Sequence, residues 1–135
     1  MEWKNEYSLG IKEIDDQHKM LLCSFSILKE AIETEQAWSA THYRIVELRD
    51  LAIVHFTVEE AMMRLFGYTA TEEHRTTHEH FLIRLDDILN MSIRSSADEE
   101  MLKLLKEWLT MHILGSDKDY ARHILSGASV VRTGT

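Results

Sequence analysis

His55 and Glu59 sit one helical turn apart in the stretch "HFTVEEAMM" (residues 55–63), on a track otherwise made of Ile45, Leu48, Leu51, Met62 and Leu65. Residues four apart on a helix differ by about 40° in azimuth, so this imidazole and this carboxylate point the same way, while Glu60 points elsewhere. "HRTTHEH" repeats the spacing with His74 and His78, whose shared face continues through Phe81 and Leu85. His18 lies on the side of Leu21, Leu22 and Phe25, and His112 follows Leu105, Trp108 and Leu109 on another apolar stripe. Neutral imidazole nitrogen and carboxylate oxygen are good ligands for first-row metals, and an unpartnered polar group in a dry interior costs a few kcal/mol. Five inward histidines and one inward glutamate therefore point to metal binding.

Helices must carry these groups. Proline is absent and glycine occurs five times in 135 residues, which favours uninterrupted helices. Hydrophobic spacing predicts helices over about 15–35, 40–66, 70–90 and 97–114, and no strands. Asp15 serves as the first N-cap, Gly67 as the C′ residue of the second helix, and Thr69 with Glu72 as a capping box. "NMSIRSS" breaks the pattern, Ser96 with Glu99 forms a second capping box, and Gly115 ends the last helix. Short connections make neighbours antiparallel. The expected fold is all-α: an up-down-up-down antiparallel four-helix bundle with an N-terminal arm and a short C-terminal segment. It forms a single domain over 1–135 with a loosely held tail from about 124 to 135.

Bulk properties narrow the function. A net charge of −8 argues against nucleic acid or an anionic membrane surface. No apolar run approaches the roughly 20 residues that cross a bilayer. One cysteine, Cys23, permits no intrachain disulfide, and "MEWKNEYSLG" lacks the features of a signal peptide, so a cytoplasmic protein is expected. Taken singly, each histidine is more often a core or surface residue than a ligand. Their joint placement argues otherwise, although His42, His80 and His123 keep the surface reading. The seven methionines read as core filler.

"GIKEIDDQHKMLL", "HFTVEEAMM", "HRTTHEHF" and "WLTMHILGSDKDY" together resemble the hemerythrin family, in particular its single-domain bacterial members, from Trp3 to Tyr120. The resemblance implies two iron ions with an oxo or hydroxo bridge. It assigns His74, His78 and His112 to one iron, His18 and His55 to the other, and Glu59 and Asp117 as bridges. Asp117 lies five residues after His112, about 140° away on a continuous helix, so Ser116 is expected to turn it back beyond Gly115. The family's D-K-x-Y pattern selects Asp117 over Asp119. "GYTATEEH" departs from the family where relatives often carry proline, and touches no ligand.

The implied function is reversible O2 binding at the iron of His18 and His55, for storage, delivery or scavenging, with an O2-consuming enzyme as recipient. Leu109, Trp108 and Ile113 lie about a turn from, or next to, His112, and the resemblance adds Leu21 and Phe56 to the same apolar lining of the O2 pocket. Other readings are a di-iron enzyme acting on peroxide or nitric oxide, an O2- or iron-responsive sensor, and zinc or manganese occupancy. A ferritin-like centre is disfavoured because no Glu-x-x-His occurs. Oligomeric state stays open.

Overall fold

The computed structural model of the chain describes residues 2–90 and 94–126, without the side chains of 94–97 and 114. Five helices and no strand occur among the described residues: α1 (Lys12–Glu33), α2 (Trp38–Leu65), α3 (Thr71–Leu89), α4 (Arg94–Met111) and α5 (Asp117–Leu125). α1 packs on α2, α2 on α3, α3 on α4, and α4 returns to α1, so the first four close a ring around one interior. No described helix is long and apolar enough to cross a membrane.

The interior divides in two. Leu21, Leu22, Phe25, Leu28, Ile45, Leu48, Phe81, Leu85, Leu105 and Leu109 form the larger apolar cluster, at the spacings read from the sequence. A smaller cluster joins the N-terminal arm to α5, through Leu9, Ile11, Ile14, Met63, Tyr120 and Ala121. The arm is tied down by Asp15. Its carboxylate accepts a hydrogen bond from Leu9 N (2.8 Å) and another from Ser8 Oγ (2.6 Å).

Several element ends differ from expectation. Asp15 is not the N-cap of α1; the helix starts three residues earlier, and the carboxylate reaches back to the arm instead. Thr69 and Glu72 form no capping box, since α3 starts at Thr71 with no side-chain cap, and the Thr71 hydroxyl donates to Tyr68 O (2.6 Å). α4 is already helical at Arg94, so Ser96 cannot precede it as N-cap and the break expected over 90–96 does not extend to 94–96; residues 91–93 lie outside the described ones. Gly67 does end α2. With φ at 66°, it donates to Arg64 O (3.2 Å) while Tyr68 N donates to Met63 O (2.9 Å), the paired bonds of a Schellman motif.

Gly115 does not end the last helix. Residues His112–Ser116 form a π-turn, in which Asp117 N donates to His112 O, and the chain continues directly into α5. The tail expected from about 124 therefore begins inside a helix; its residues beyond Ser126 lie outside the described ones. His123 is not a surface residue either. Half buried, its Nε2–H donates to Phe66 O (2.8 Å) and satisfies a carbonyl left over at the end of α2.

Candidate metal centre

Each element of the ring sends imidazole inward. α1 carries His18, α2 His55 with Glu59, α3 His74 with His78, and the α4–α5 junction His112 with Asp117; all seven are buried. The i, i+4 pairs share faces because both helices are regular there. His112 and Asp117 share one for a different reason. A π-turn is closed by i→i+5 bonds, so residues five apart stack above one another rather than diverging as on an α-helix.

The ring spacings sort the imidazoles. His18 and His55 have centroids 4.6 Å apart, and His74 and His78 4.7 Å. His112 sides with the second pair, at 5.2 and 5.0 Å from His74 and His78 but 6.3 Å from both His18 and His55. The carboxylates stand between. Glu59 Oε1 lies 3.1 Å from Nε2 of His55, 3.1 Å from that of His112 and 3.4 Å from that of His78. Asp117 places Oδ2 2.8 Å from Nε2 of both His18 and His112, and Oδ1 3.0 Å from His74 Nε2. Two overlapping sets of donor atoms result, each within 4.8 Å: His18, His55, Glu59, His112, Asp117, and Glu59, His74, His78, His112, Asp117.

Nε2 of His18, His55, His74 and His78 and both oxygens of Asp117 are buried, yet none makes a hydrogen bond. These atoms gather within 4.8 Å of one another in each set without satisfying hydrogen-bond geometry. This is a misfit for a protein interior and a fit for cations, because buried nitrogen and carboxylate donors without partners are costly until a metal completes them. The electrostatics agree. Burial works to raise the Glu59 carboxyl, but the imidazoles of His55 and His112 outweigh it and hold it well below the usual carboxylate range. Burial, reinforced by the neighbouring Glu59 charge, pushes Asp117 up to about 7, against the pull of His18 and His74.

The sequence reading missed some of the side chains that hold these groups from behind. The Tyr120 hydroxyl donates to Glu59 Oε2 at 2.6 Å, and burial followed by the charges of Glu59 and Asp117 raises its pKa, keeping it a phenol. Gln17 Oε1 lies 2.6 Å from His55 Nδ1. Glu60, facing away from the cage as its azimuth requires, reaches His78 Nδ1 at 2.9 Å from outside. Gln17 precedes a predicted ligand and Tyr120 follows one by three residues, so adjacency to the ligands was the signal available.

Of the expected pocket lining, Leu21, Phe56, Leu109 and Ile113 are buried in the larger apolar cluster, and Trp108 is packed against it. Phe56 lies flat on His78 (3.9 Å, 7°) and Trp108 on His112 (4.2 Å, 18°). Trp108 and His112 also border a surface cleft of about 240 Å³ with Thr77 and Glu107. The cleft thus reaches the edge of the cage at His112, with the stacked indole as its apolar wall.

Comparison with known proteins places residues 9–124 in a match to the model of the hemerythrin HHE cation binding domain. The chain is 30% identical over 128 residues to a bacteriohemerythrin of Pseudomonas paraeruginosa, covering 92% of this chain and 83% of that one. It is equally identical over 125 residues to one of Clostridium acetobutylicum (87% and 96%), and 28% identical over 118 residues to a hemerythrin-like protein of Naegleria gruberi (87% and 88%). No solved structure matches at the same stringency.

Proposed function

The chain belongs to the hemerythrin family, and from that premise we propose that it binds two iron ions in the cage and, through them, O2 reversibly. The observation that carries the reading is the set of buried imidazole and carboxylate atoms that converge without hydrogen bonds. His74, His78 and His112 would hold one iron, His18 and His55 the other, with Glu59 and Asp117 available to both. Irons so held would supply the electron pair that O2 takes on binding and returns on release. Tyr120 orients Glu59 by donating to the oxygen that faces away from His55 and His112. Leu21, Phe56, Leu109 and Ile113 exclude water and anions from the site, and Trp108, stacked on His112, narrows the approach from the cleft.

We read the fold as a single domain over 1–135 with up-down-up-down topology. Residue pairs that descend on one helix as they ascend on the next support this: Arg49 with Asp86 and Glu60 with His78 between α2 and α3, and His78 with His112 and Phe81 with Trp108 between α3 and α4. A carrier, rather than a catalyst, is favoured by the apolar wall and by the commitment of the Tyr120 hydroxyl to Glu59, since turnover of peroxide or nitric oxide needs a positioned proton donor.

The test is to load the protein with iron, reduce it without air, admit O2, then withdraw it while following the iron charge-transfer absorption. The band should appear and vanish over repeated cycles, and Ile113→Ala should decay to the ferric state faster at unchanged iron content. Rapid consumption of peroxide or nitric oxide with added reductant, without reversible cycling, would replace the carrier by an enzyme.

A further inference from the structure

The five imidazoles are held unequally from behind. An imidazole that offers Nε2 to the cage keeps its proton on Nδ1, so Nδ1–H is the donor to whatever stands outside. For His78 that acceptor is a carboxylate, Glu60 Oε2, at 2.9 Å. For His55 it is a neutral amide oxygen, Gln17 Oε1, at 2.6 Å. Nδ1 of His18 is buried with no partner. A carboxylate acceptor draws the Nδ1 proton toward itself and leaves the ring closer to imidazolate, which raises the basicity of Nε2; an amide oxygen does this far less. One half of the cage thus has a charged group behind it and the other half has none among the described residues.

The charge survives its surroundings. The Glu60 side chain is 17% exposed, so water only partly screens its effect on His78. Arg64 stands 3.7 Å from the other oxygen but is 56% exposed, and so distant and solvated a cation neutralises little. Phe56 stacked on His78 fixes the ring plane that keeps Nδ1 aimed at Glu60.

We propose that Glu60 and Gln17 are positioning residues that set the two metal positions apart. The position of His74, His78 and His112 is the tighter one and the better stabilised at higher metal charge. The position of His18 and His55 is the weaker and the first to empty. This rests on the two-metal reading above. Three imidazoles against two would also produce an inequality, so the part that belongs to the outer residues must be isolated by exchanging charge at constant shape. Glu60→Gln keeps a hydrogen-bond acceptor of the same size, and Gln17→Glu gives His55 the partner that His78 has.

Chelator-competition titration of metal-depleted protein with Co(II) reads both stepwise affinities, and the visible Co(II) bands report the coordination. Wild type should bind two ions with separate constants. Glu60→Gln should weaken the tighter by about tenfold or more and leave the weaker unchanged, whereas Gln17→Glu should strengthen the weaker by a similar factor. The midpoint potential of the iron-loaded protein should rise in Glu60→Gln and fall in Gln17→Glu, opposite signs that loosened packing cannot produce. Two ions bound with constants and potentials unmoved in both variants, or moved in the same direction, overturn the inference alone. Wild type that saturates at a single ion overturns the two-metal reading beneath it.

Discussion

Leu28, Leu48, Leu85 and Leu105 in one part of the interior, and His18, His55, Glu59 and Asp117 in another, are all between 0% and 1% exposed. Each leucine contributes about 1.5–3 kcal/mol by leaving water, whatever else is bound. Each member of the second set costs free energy on burial unless it is paired, and the pairing is collective: removing one group strands the others. Equal burial therefore carries opposite signs in the two parts. The apolar part folds the chain, and the polar part is supported by it until metal reverses the balance.

The largest effect should come from metal itself. At free metal about a thousand times Kd, each site adds about 4 kcal/mol to stability. A chelator should therefore lower the urea midpoint strongly in wild type. Leu85→Ala should lose roughly 2–5 kcal/mol, by the same amount with and without chelator. A wild-type midpoint that ignores the chelator would erase the distinction between the two parts.

Asp117→Leu should sharpen it from the polar side. In chelator the variant should be less stable than wild type by about 3–5 kcal/mol, because the imidazoles of His18, His74 and His112 lose the carboxylate they share, and it should gain nothing from metal. The pH dependence follows from the raised pKa. Asp117 contributes its stability fully below the unfolded value of 3.8 and loses it as pH rises through about 7, so the deficit of the variant should shrink between pH 5 and pH 8. Unfolding curves at the two pH values check this, and a deficit that grows as pH rises would refute it.

The smallest effect belongs to the group that links the parts. Tyr120 sits in the cluster of the arm and α5, and its hydroxyl donates to Glu59. Tyr120→Phe should cost about 1.5 kcal/mol, measurable by urea unfolding, with the wild-type metal content retained. Loss of metal from this variant would mean that Tyr120 positions Glu59 more stringently than one hydrogen bond implies.

The inward imidazoles and glutamate on α1, α2 and α3 were legible because regular helices preserve azimuth, and α1–α3 are regular where they carry His18, His55 with Glu59, and His74 with His78. Asp117 was legible only through the family pattern. Its approach to His112 depends on a π-turn, which no hydrophobic period announces, so Gly115 read as a stop. The caps at Asp15 and Thr69 misled for a related reason: both residues do satisfy local polar groups or lie beside a helix start, but contacts with the arm and with Tyr68 decide where the helices begin. Tertiary hydrogen bonds such as those from Tyr120 to Glu59 and from His123 to Phe66 join distant segments and leave no trace in a window of one helix.

The π-turn also has a bearing on length variation. A plain α-helical turn would bring a carboxylate four residues after the imidazole to the same face that the π-turn gives to one five residues after. Dropping one residue between His112 and Asp117 would thus keep the pair together and keep Tyr120 and Ala121 in phase behind it. Gly115, where an added Cβ would meet nothing within 4 Å, is the natural place for such a gain or loss. Between His55 and Glu59 the helix is regular, and a single insertion there would keep the pair together only by forming a second π-turn. The junction already carries one.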